Sequence, residues 1–133
     1  MNQIIKGTGF HHIALKVNDF DKSLDFYQKL GFTVMATWGE GDERAAMIDI
    51  GDGGLIEMFA GGKNEEALGR FFHLAIKADD IEMAYQTALD AGAKPRSEPK
   101  TLTINSSPRK LDIHIAFVFG PDGEVIEFFK NLN

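Results

Sequence analysis

Two histidines and two glutamates occur in this 133-residue chain as two pairs in the same order, His12 with Glu57 and His73 with Glu127. All four are residue types that bind divalent metal ions. Two imidazoles and two carboxylates supply four ligands, and waters would complete the octahedron that suits a divalent transition ion. If the four side chains meet in the fold, they predict a metal centre.

The repeated order comes from an internal duplication. Residues 12–31 match residues 73–92 without a gap, at a constant offset of 61. Residues 52–59 match residues 122–129 at an offset of 70, with five of the eight positions identical. The second half therefore carries nine extra residues between its two blocks, and we place them in the polar stretch 97–109.

Each half has the pattern of one strand, one helix and three further strands. Short apolar runs rich in β-branched residues predict the first strands at 10–17 and 71–78. A helix follows in each half, with an Asp able to cap its N-terminus and a glycine, Gly31 or Gly92, able to end it. Further strands are predicted at 33–38, 45–50 and 55–60, and then at 93–96, 112–119 and 124–129.

The predicted fold is therefore α+β, with two βαβββ modules in one domain. Module 1 covers about 10–62 and module 2 about 71–130, and a short helix at 63–70 is expected to link them. If the modules pack about a pseudo-twofold axis that joins their sheets, they form a curled mixed sheet around a cup that would hold the metal and the substrate.

The two glutamates, Glu57 and Glu127, lie in otherwise apolar strands. Burying an unpaired carboxylate costs several kcal/mol unless it is protonated, paired or bound to a metal. A single His or Glu in such a place is most often structural, but equivalent pairs in two copies favour a shared metal ion. His11 and His114 have no equivalent in the other half, and we interpret them as structural or rim residues.

Composition excludes several classes of function. Fourteen Lys and Arg against twenty Asp and Glu give a net charge of −6, which disfavours nucleic acid as a partner. No apolar run approaches the roughly 20 residues of a membrane helix. With no cysteine there is no disulfide, thiolate zinc site or cysteine nucleophile. We expect a cytoplasmic protein that acts on a small molecule.

Four segments carry a family resemblance: HIALKVND from His12, SLDFY from Ser23, HLAIKADD from His73 and GPDGEVIEF from Gly120. Over about 10–130 the chain resembles the glyoxalase, bleomycin resistance protein and extradiol dioxygenase superfamily, also called vicinal oxygen chelate proteins. The resemblance implies paired βαβββ modules with a metal between them. It maps the family's four ligand positions onto His12, Glu57, His73 and Glu127.

This ligand set resembles that of bacterial-type glyoxalase I enzymes, which prefer nickel or cobalt to zinc. The resemblance implies a metal-dependent lyase or isomerase that acts on an α-hydroxycarbonyl compound or thiohemiacetal adduct through an enediolate. It assigns the role of principal base to Glu127, with Glu57 assisting from the opposite face. It also implies a homodimer, in which modules pair either within one chain or across two.

The substrate-binding positions depart from glyoxalase I. Lys16 and Gly61 stand where that enzyme has an Arg and an Asn that contact glutathione, which argues against glutathione itself. Arg109 and Lys110, in the expected inserted loop, either reach an anionic substrate tail or are solvated loop charges. Gly120 stands where Asp is usual, and we expect no consequence.

Other functions of the superfamily stay open at this point. A small-molecule sequestering protein of the antibiotic-resistance type is one alternative, although the complete ligand set argues against it. An epimerase that uses both glutamates and a dioxygenase are further alternatives. Trp38 and Phe119 could line the cup or could belong to the core.

Overall fold

The computed structural model describes residues 3–4, 10–63, 73–106 and 108–133. Two βαβββ modules are present, as predicted, and each has a four-stranded mixed sheet with one helix. Module 1 consists of β1 (His12–Lys16), α1 (Phe20–Lys29), β2 (Thr33–Trp38), β3 (Ala45–Asp49) and β4 (Leu55–Phe59). Module 2 consists of β5 (Leu74–Lys77), α2 (Ile81–Asp90), β6 (Lys94–Ile104), β7 (Leu111–Phe119) and β8 (Val125–Asn131). The predicted linker helix falls, apart from Lys63, on residues outside the described ranges.

Both helices begin at the aspartates that the sequence indicates. The side chain of Asp19 accepts from the backbone N–H of Lys22 at 3.1 Å, and that of Asp80 accepts from the N–H of Met83 at 3.0 Å. Each bond satisfies one of the amide groups that a helix leaves unpaired at its start. Gly31 follows α1 with φ +91°, a left-handed conformation that glycine adopts without strain. The aspartate caps and the glycine after α1 therefore determine where these helix ends lie.

The sheets have equivalent strand orders, β1-β4-β3-β2 in module 1 and β5-β8-β7-β6 in module 2. The first strand of each module lies parallel to the last, and the other pairs are antiparallel. Among the described residues, no strand of one sheet pairs with a strand of the other. A single chain therefore does not form the joined sheet that we expected if the modules met about a pseudo-twofold axis.

The nine extra residues lie in or next to the predicted stretch 97–109, but most of them form strand and not the expected loop. They lengthen the β6–β7 hairpin, because β6 runs to Ile104 and β7 already begins at Leu111. Pro95 and Pro99 hid this strand, because proline cannot donate to a sheet ladder. Both prolines are tolerated because β6 is an edge strand, and register shifts on either side of Ser97 absorb the irregularity.

One hydrophobic core joins the two modules. It includes Tyr27 of α1, Met58 of β4, and Ile126 and Phe128 of β8, all buried. Since strand side chains alternate between faces, the residues next to Met58 and Ile126 in sequence, including Glu57 and Glu127, lie on the faces turned away from this core. No helix of the described chain is long and apolar enough to span a membrane.

Polar contacts tie the modules together at one junction. The backbone N–H of Asn18, between β1 and α1, donates to Oδ2 of Asp122 in the β7–β8 turn at 3.0 Å. Beside this bond the hydroxyl of Tyr27 and Oε2 of Glu124 are both buried, and neither atom has a hydrogen-bond partner among the described residues. Burial, followed by the nearby Glu124, raises the pKa of Tyr27 well above its usual value, and burial is the main cause that raises the pKa of Glu124.

Gly120 makes room for this buried carboxyl group. A Cβ at residue 120 would lie 2.1 Å from Oε1 of Glu124 and 2.4 Å from its Cδ. We expected no consequence from the glycine that stands at residue 120 where Asp is usual. The structure shows that the absence of a side chain there leaves space for Glu124 at the junction.

The duplicated position in the other half is built differently. The equivalents of Tyr27 and Glu124 are Ala88 and Gly54, which supply no such side chains. A groove of about 380 Å³ opens there between the modules, lined by residues of α2 together with Leu30, Phe32 and Ile50 of module 1. The pseudo-symmetry of the chain is thus broken at the junction.

We predict that Gly120→Ala destabilises the protein through Glu124. The added methyl group must displace a packed side chain, and such overpacking costs about 1–3 kcal/mol in the free energy of unfolding. In a Glu124→Ala background the same change should cost much less, because the carboxyl group that it strikes is gone. Urea unfolding of the wild type, the two single variants and the double variant measures this coupling. Additive effects would show that Glu124 does not occupy this space.

Candidate functional site

His12 and Glu57 lie side by side on the open face of module 1. In the parallel pairing of β1 with β4, Glu57 is opposite Ala14, so it shares a face with His12, two residues earlier. The distance from His12 Nε2 to Glu57 Oε2 is 3.7 Å, and the Glu57 side chain is 20% exposed. Module 1 thus holds one imidazole–carboxylate pair.

His73 and Glu127 form the equivalent pair in module 2. Their Nε2 and Oε2 atoms are 3.2 Å apart, and the Glu127 side chain is only 10% exposed. Burial raises the pKa of Glu127, and the nearby His73 opposes this shift. The second pair is therefore closer and its carboxylate is more buried than in the first pair.

His11 contacts His12 directly, although we interpreted it from the sequence as a structural or rim residue. The two Nδ1 atoms are 2.9 Å apart and the rings meet edge to face at 5.1 Å. A neutral imidazole has one donor and one acceptor nitrogen, so one ring donates and the other accepts. This contact occupies Nδ1 of His12 and leaves Nε2 facing Glu57, which is how neighbouring groups commonly orient a metal-binding histidine.

His114 lies on the other side of its sheet. Its Nε2 is 3.2 Å from Oε1 of Glu82 on α2, on the helix side, whereas the Glu127 side chain faces away from the helix. This placement supports the structural interpretation of His114 and separates it from the pair in module 2.

The two His–Glu pairs do not meet in one chain. Within the part of the chain that the structure describes, no group of three or more His, Cys, Asp or Glu side chains is arranged to hold a metal ion. Both pairs lie on faces that point away from the common core. The chain therefore presents two half-sites rather than one four-ligand centre.

Each half-site fits two ligand positions of one metal ion. Donor atoms bound to one ion at about 2.1 Å are about 3.0 Å apart at a right angle and about 3.4 Å apart at a tetrahedral angle. The observed separations of 3.7 and 3.2 Å are close to these values. Small side-chain adjustments would bring either pair onto an ion, with His and carboxylate as suitable donors.

The predicted substrate-binding residues fall in two places. Lys16 shares the open face of module 1 with His12, at the far end of β1. Arg109 and Lys110 lie at the tip of the β6–β7 hairpin, about 20 Å of strand away from Phe117, the residue of β7 that is paired with Glu127. Within one chain, the structure does not bring these two residues to the His73–Glu127 pair.

Sequence reasoning missed Arg96, which lies near that pair. Its Cζ atom is 5.0 Å from the ring centroid of Phe117, and that ring in turn contacts His73 edge to face at 6.1 Å. The sequence alone could not place Arg96 beside this pair, because Arg96 lies at a register shift between β6 and β7 that the sequence does not show.

Two βαβββ modules with one His–Glu pair on each open face define a duplicated α+β protein with two half-sites. The family model described as the Glyoxalase/Bleomycin resistance protein/Dioxygenase superfamily matches residues 9–128. The chain belongs to this superfamily.

Relatives agree with this assignment, and a solved structure shares the fold. A probable lactoylglutathione lyase of Vibrio parahaemolyticus is 35% identical over 129 residues, covering 90% of this chain and 88% of that protein. A lactoylglutathione lyase of Haemophilus influenzae is 30% identical over 128 residues, covering 90% of each chain. A glyoxalase I variant from Zea mays superposes with a TM-score of 0.73 at 23% identity, covering 90% of this chain and 43% of that one.

We predict that Glu127→Gln stabilises the metal-free protein at neutral pH. The raised pKa of Glu127 means that the folded state favours the protonated carboxyl group. The protonated group therefore contributes its full stability below the pKa of the unfolded chain, and this contribution is lost as the pH rises through the folded value. Glutamine stays neutral throughout, so its advantage should shrink as the pH falls through the raised pKa of Glu127 and should be gone near the unfolded-chain value of about 4.5. Chemical unfolding at several pH values, with metal removed, measures the difference.

Glu82→Gln is the matched control. Glu82 also faces a histidine at 3.2 Å, but its side chain is 67% exposed, so neutralising it should give no comparable gain in stability. Equal effects of the two substitutions would contradict a desolvated carboxylate at Glu127.

Proposed function

We propose that this protein is a metal-dependent lyase or isomerase of the glyoxalase I type, which acts on an α-hydroxycarbonyl compound or a thiohemiacetal adduct. The observation that carries the proposal is the pair of His–Glu half-sites on outward faces of a single chain. Neither half-site alone offers four ligands, and the junction between the modules turns the two faces apart. A complete site requires module 1 of one chain and module 2 of another.

The open faces support such a homodimer. Met35 and Trp38 of β2 are large apolar side chains that are 60% and 45% exposed in the isolated chain. Exposed apolar groups around a polar centre are typical of surfaces that a partner covers. In a twofold dimer each chain contributes both of its faces, and two equivalent sites result.

The metal would be held by two histidines and two glutamates, namely His12 and Glu57 of one chain with His73 and Glu127 of the other. When bound, a divalent ion supplies Lewis-acid polarisation of vicinal oxygens and stabilises enediolate charge. The donor set suits nickel or cobalt, and zinc is a further candidate.

Glu127 is suited to act as the proton-transferring base. A general base works best when its pKa is near the operating pH, and burial moves the pKa of Glu127 in that direction. His73, 3.2 Å away, limits this shift and keeps a carboxylate available. Glu57 is more exposed and would assist from the opposite side of the substrate.

The relatives are named lactoylglutathione lyases, which supports a glyoxalase-type reaction, but two positions of this chain depart from the glutathione-binding residues that the resemblance implies. Lys16 keeps a positive charge without the bidentate fork of arginine, and Gly61 has no side-chain amide. We therefore propose a thiol adduct other than that of glutathione, or a related α-hydroxycarbonyl compound.

We predict that metal content depends on both modules. His73→Ala should remove most of the bound metal, because each ligand supplies a large share of an affinity built from few bonds. Metal analysis of protein purified without a histidine tag provides the measurement. Chelation should also lower the melting temperature, since the ion stabilises only the folded state. Equal metal content in the variant and the wild type would refute the ligand assignment.

We further predict that inactive variants complement each other across chains. His12→Ala and His73→Ala homodimers each lack one ligand at every site. A mixed dimer regains one complete site, so an equimolar mixture after subunit exchange should recover about a quarter of wild-type activity. Mixing His12→Ala with the double variant His12→Ala/His73→Ala is the control and should recover none. If the four ligands came from one chain, neither mixture would recover activity.

We predict that Glu127→Gln retains much of its metal and its fold but loses turnover by about 10² or more, the usual contribution of a positioned base. Glu57→Gln should lose less. Adducts of methylglyoxal with several thiols, assayed with nickel, cobalt and zinc, provide the test. If the wild type turns over no such adduct with any metal, the isomerase proposal fails and a sequestering protein becomes the better interpretation.

A further inference from the structure

A bulge at the same place in both modules adds one residue to the edge strand beside the half-site. In β2 the register against β3 shifts at Met35, and in β6 the register against β7 shifts at Arg96. These two residues are equivalent in the duplication, at the offset of 61. Bulges beside functional sites commonly re-aim a side chain, and here one module presents an apolar group and the other a cation.

Arg96 is held over an aromatic surface that leads to the half-site of module 2. Its Cζ is 5.0 Å from the ring centroid of Phe117 and 5.9 Å from that of Phe119. Phe117 is paired with Glu127 across β7 and β8, and its ring lies 6.1 Å from that of His73. The guanidinium carbon is therefore within about 11 Å of the His73 ring, on the same face.

The guanidinium group of Arg96 has no carboxylate partner among the described residues. Arg44 provides a comparison, because it also stacks on a ring, that of Phe20 at 4.3 Å, but donates to Asp21 at 2.9 Å. Arg44 is thus engaged within the fold. The cation–π contacts with Phe117 and Phe119 hold the Arg96 guanidinium group beside this face and leave its N–H groups available to an anion.

We propose that Arg96 binds a carboxylate of the substrate. This inference rests on the proposed function and narrows the substrate class to adducts or α-hydroxycarbonyl compounds that carry a carboxylate. A planar guanidinium group binds a carboxylate through two parallel hydrogen bonds, and its stacked position reduces the entropy lost on binding. Met35 occupies the equivalent bulge of module 1 and is apolar. A complete site would therefore have a cation on one side and an apolar group on the other, and so it would distinguish the two ends of a substrate.

Paired substrates test this proposal kinetically. The adduct of methylglyoxal with 3-mercaptopropionate carries a carboxylate, and the adduct with 2-mercaptoethanol does not. Arg96→Ala should lower kcat/KM for the first by about 10- to 100-fold, mainly through KM, and leave the second unchanged. Arg96→Met, which copies the residue of module 1, should behave likewise. Arg96→Lys should recover only part of the loss, and Lys22→Ala, which removes one exposed charge from α1, should have no effect.

A binding measurement separates this inference from the proposed function. NMR titration of the protein as purified with 3-(methylthio)propanoate and with its neutral amide requires no turnover. The wild type should bind the acid more tightly than the amide, and Arg96→Met should bind the acid about 10-fold or more weakly, with an unchanged melting temperature.

If the wild type turns over no adduct, the proposed function fails and this titration alone decides the role of Arg96. Equal binding of acid and amide by the wild type, no detectable binding of either, or an equal loss for both substrates in Arg96→Met would overturn the proposal.

Discussion

The site depends on the parallel pairing of the first and last strands of each module. In module 1 this pairing places Glu57 opposite Ala14 and therefore on the same face as His12. The register is fixed by burial, because Ile56 and Met58, on either side of Glu57, are almost completely buried in the core. A slip of one residue would turn the carboxylate into the core and both apolar side chains out to solvent. The residues that stabilise the fold therefore also hold the carboxylate beside the imidazole.

The same logic explains why one chain presents two half-sites. The helix sides of both sheets share one core, and the hydrogen bond from Asn18 to Asp122 joins the two modules at their junction. Once these sides are joined, the opposite faces of the two sheets point apart. The duplicated chain thus cannot close its own four-ligand site while it keeps this junction. The assembly from two chains that we propose would satisfy both requirements, since the junction uses one side of each sheet and the metal would use the other.

Much of this structure could be predicted from the sequence, because duplication doubles each local signal. Aspartate caps, glycines at helix ends and apolar strands fixed nearly all elements, and the repeat selected the His and Glu positions that pair in the structure. The placement of the modules relative to each other was not predictable, since it depends on single contacts at the junction. Glu124 against Gly120 is such a contact, and in sequence it looks like an ordinary surface glutamate beside a turn.

The features that sequence reasoning missed share one cause. The role of β6, the contact of His11 with His12 and the position of Arg96 all depend on where a strand starts or shifts its register, which side-chain periodicity does not reveal. The structure also shows where the two copies stay alike and where they differ. Both modules keep one His and one Glu at equivalent positions, as a shared ion would require. At the bulge, Met35 and Arg96 have nothing in common except their backbone position. A metal ion with equivalent ligands on both sides does not distinguish the two orientations of a bound substrate. A preference for one orientation must therefore come from positions at which the duplicated halves differ, such as Met35 and Arg96.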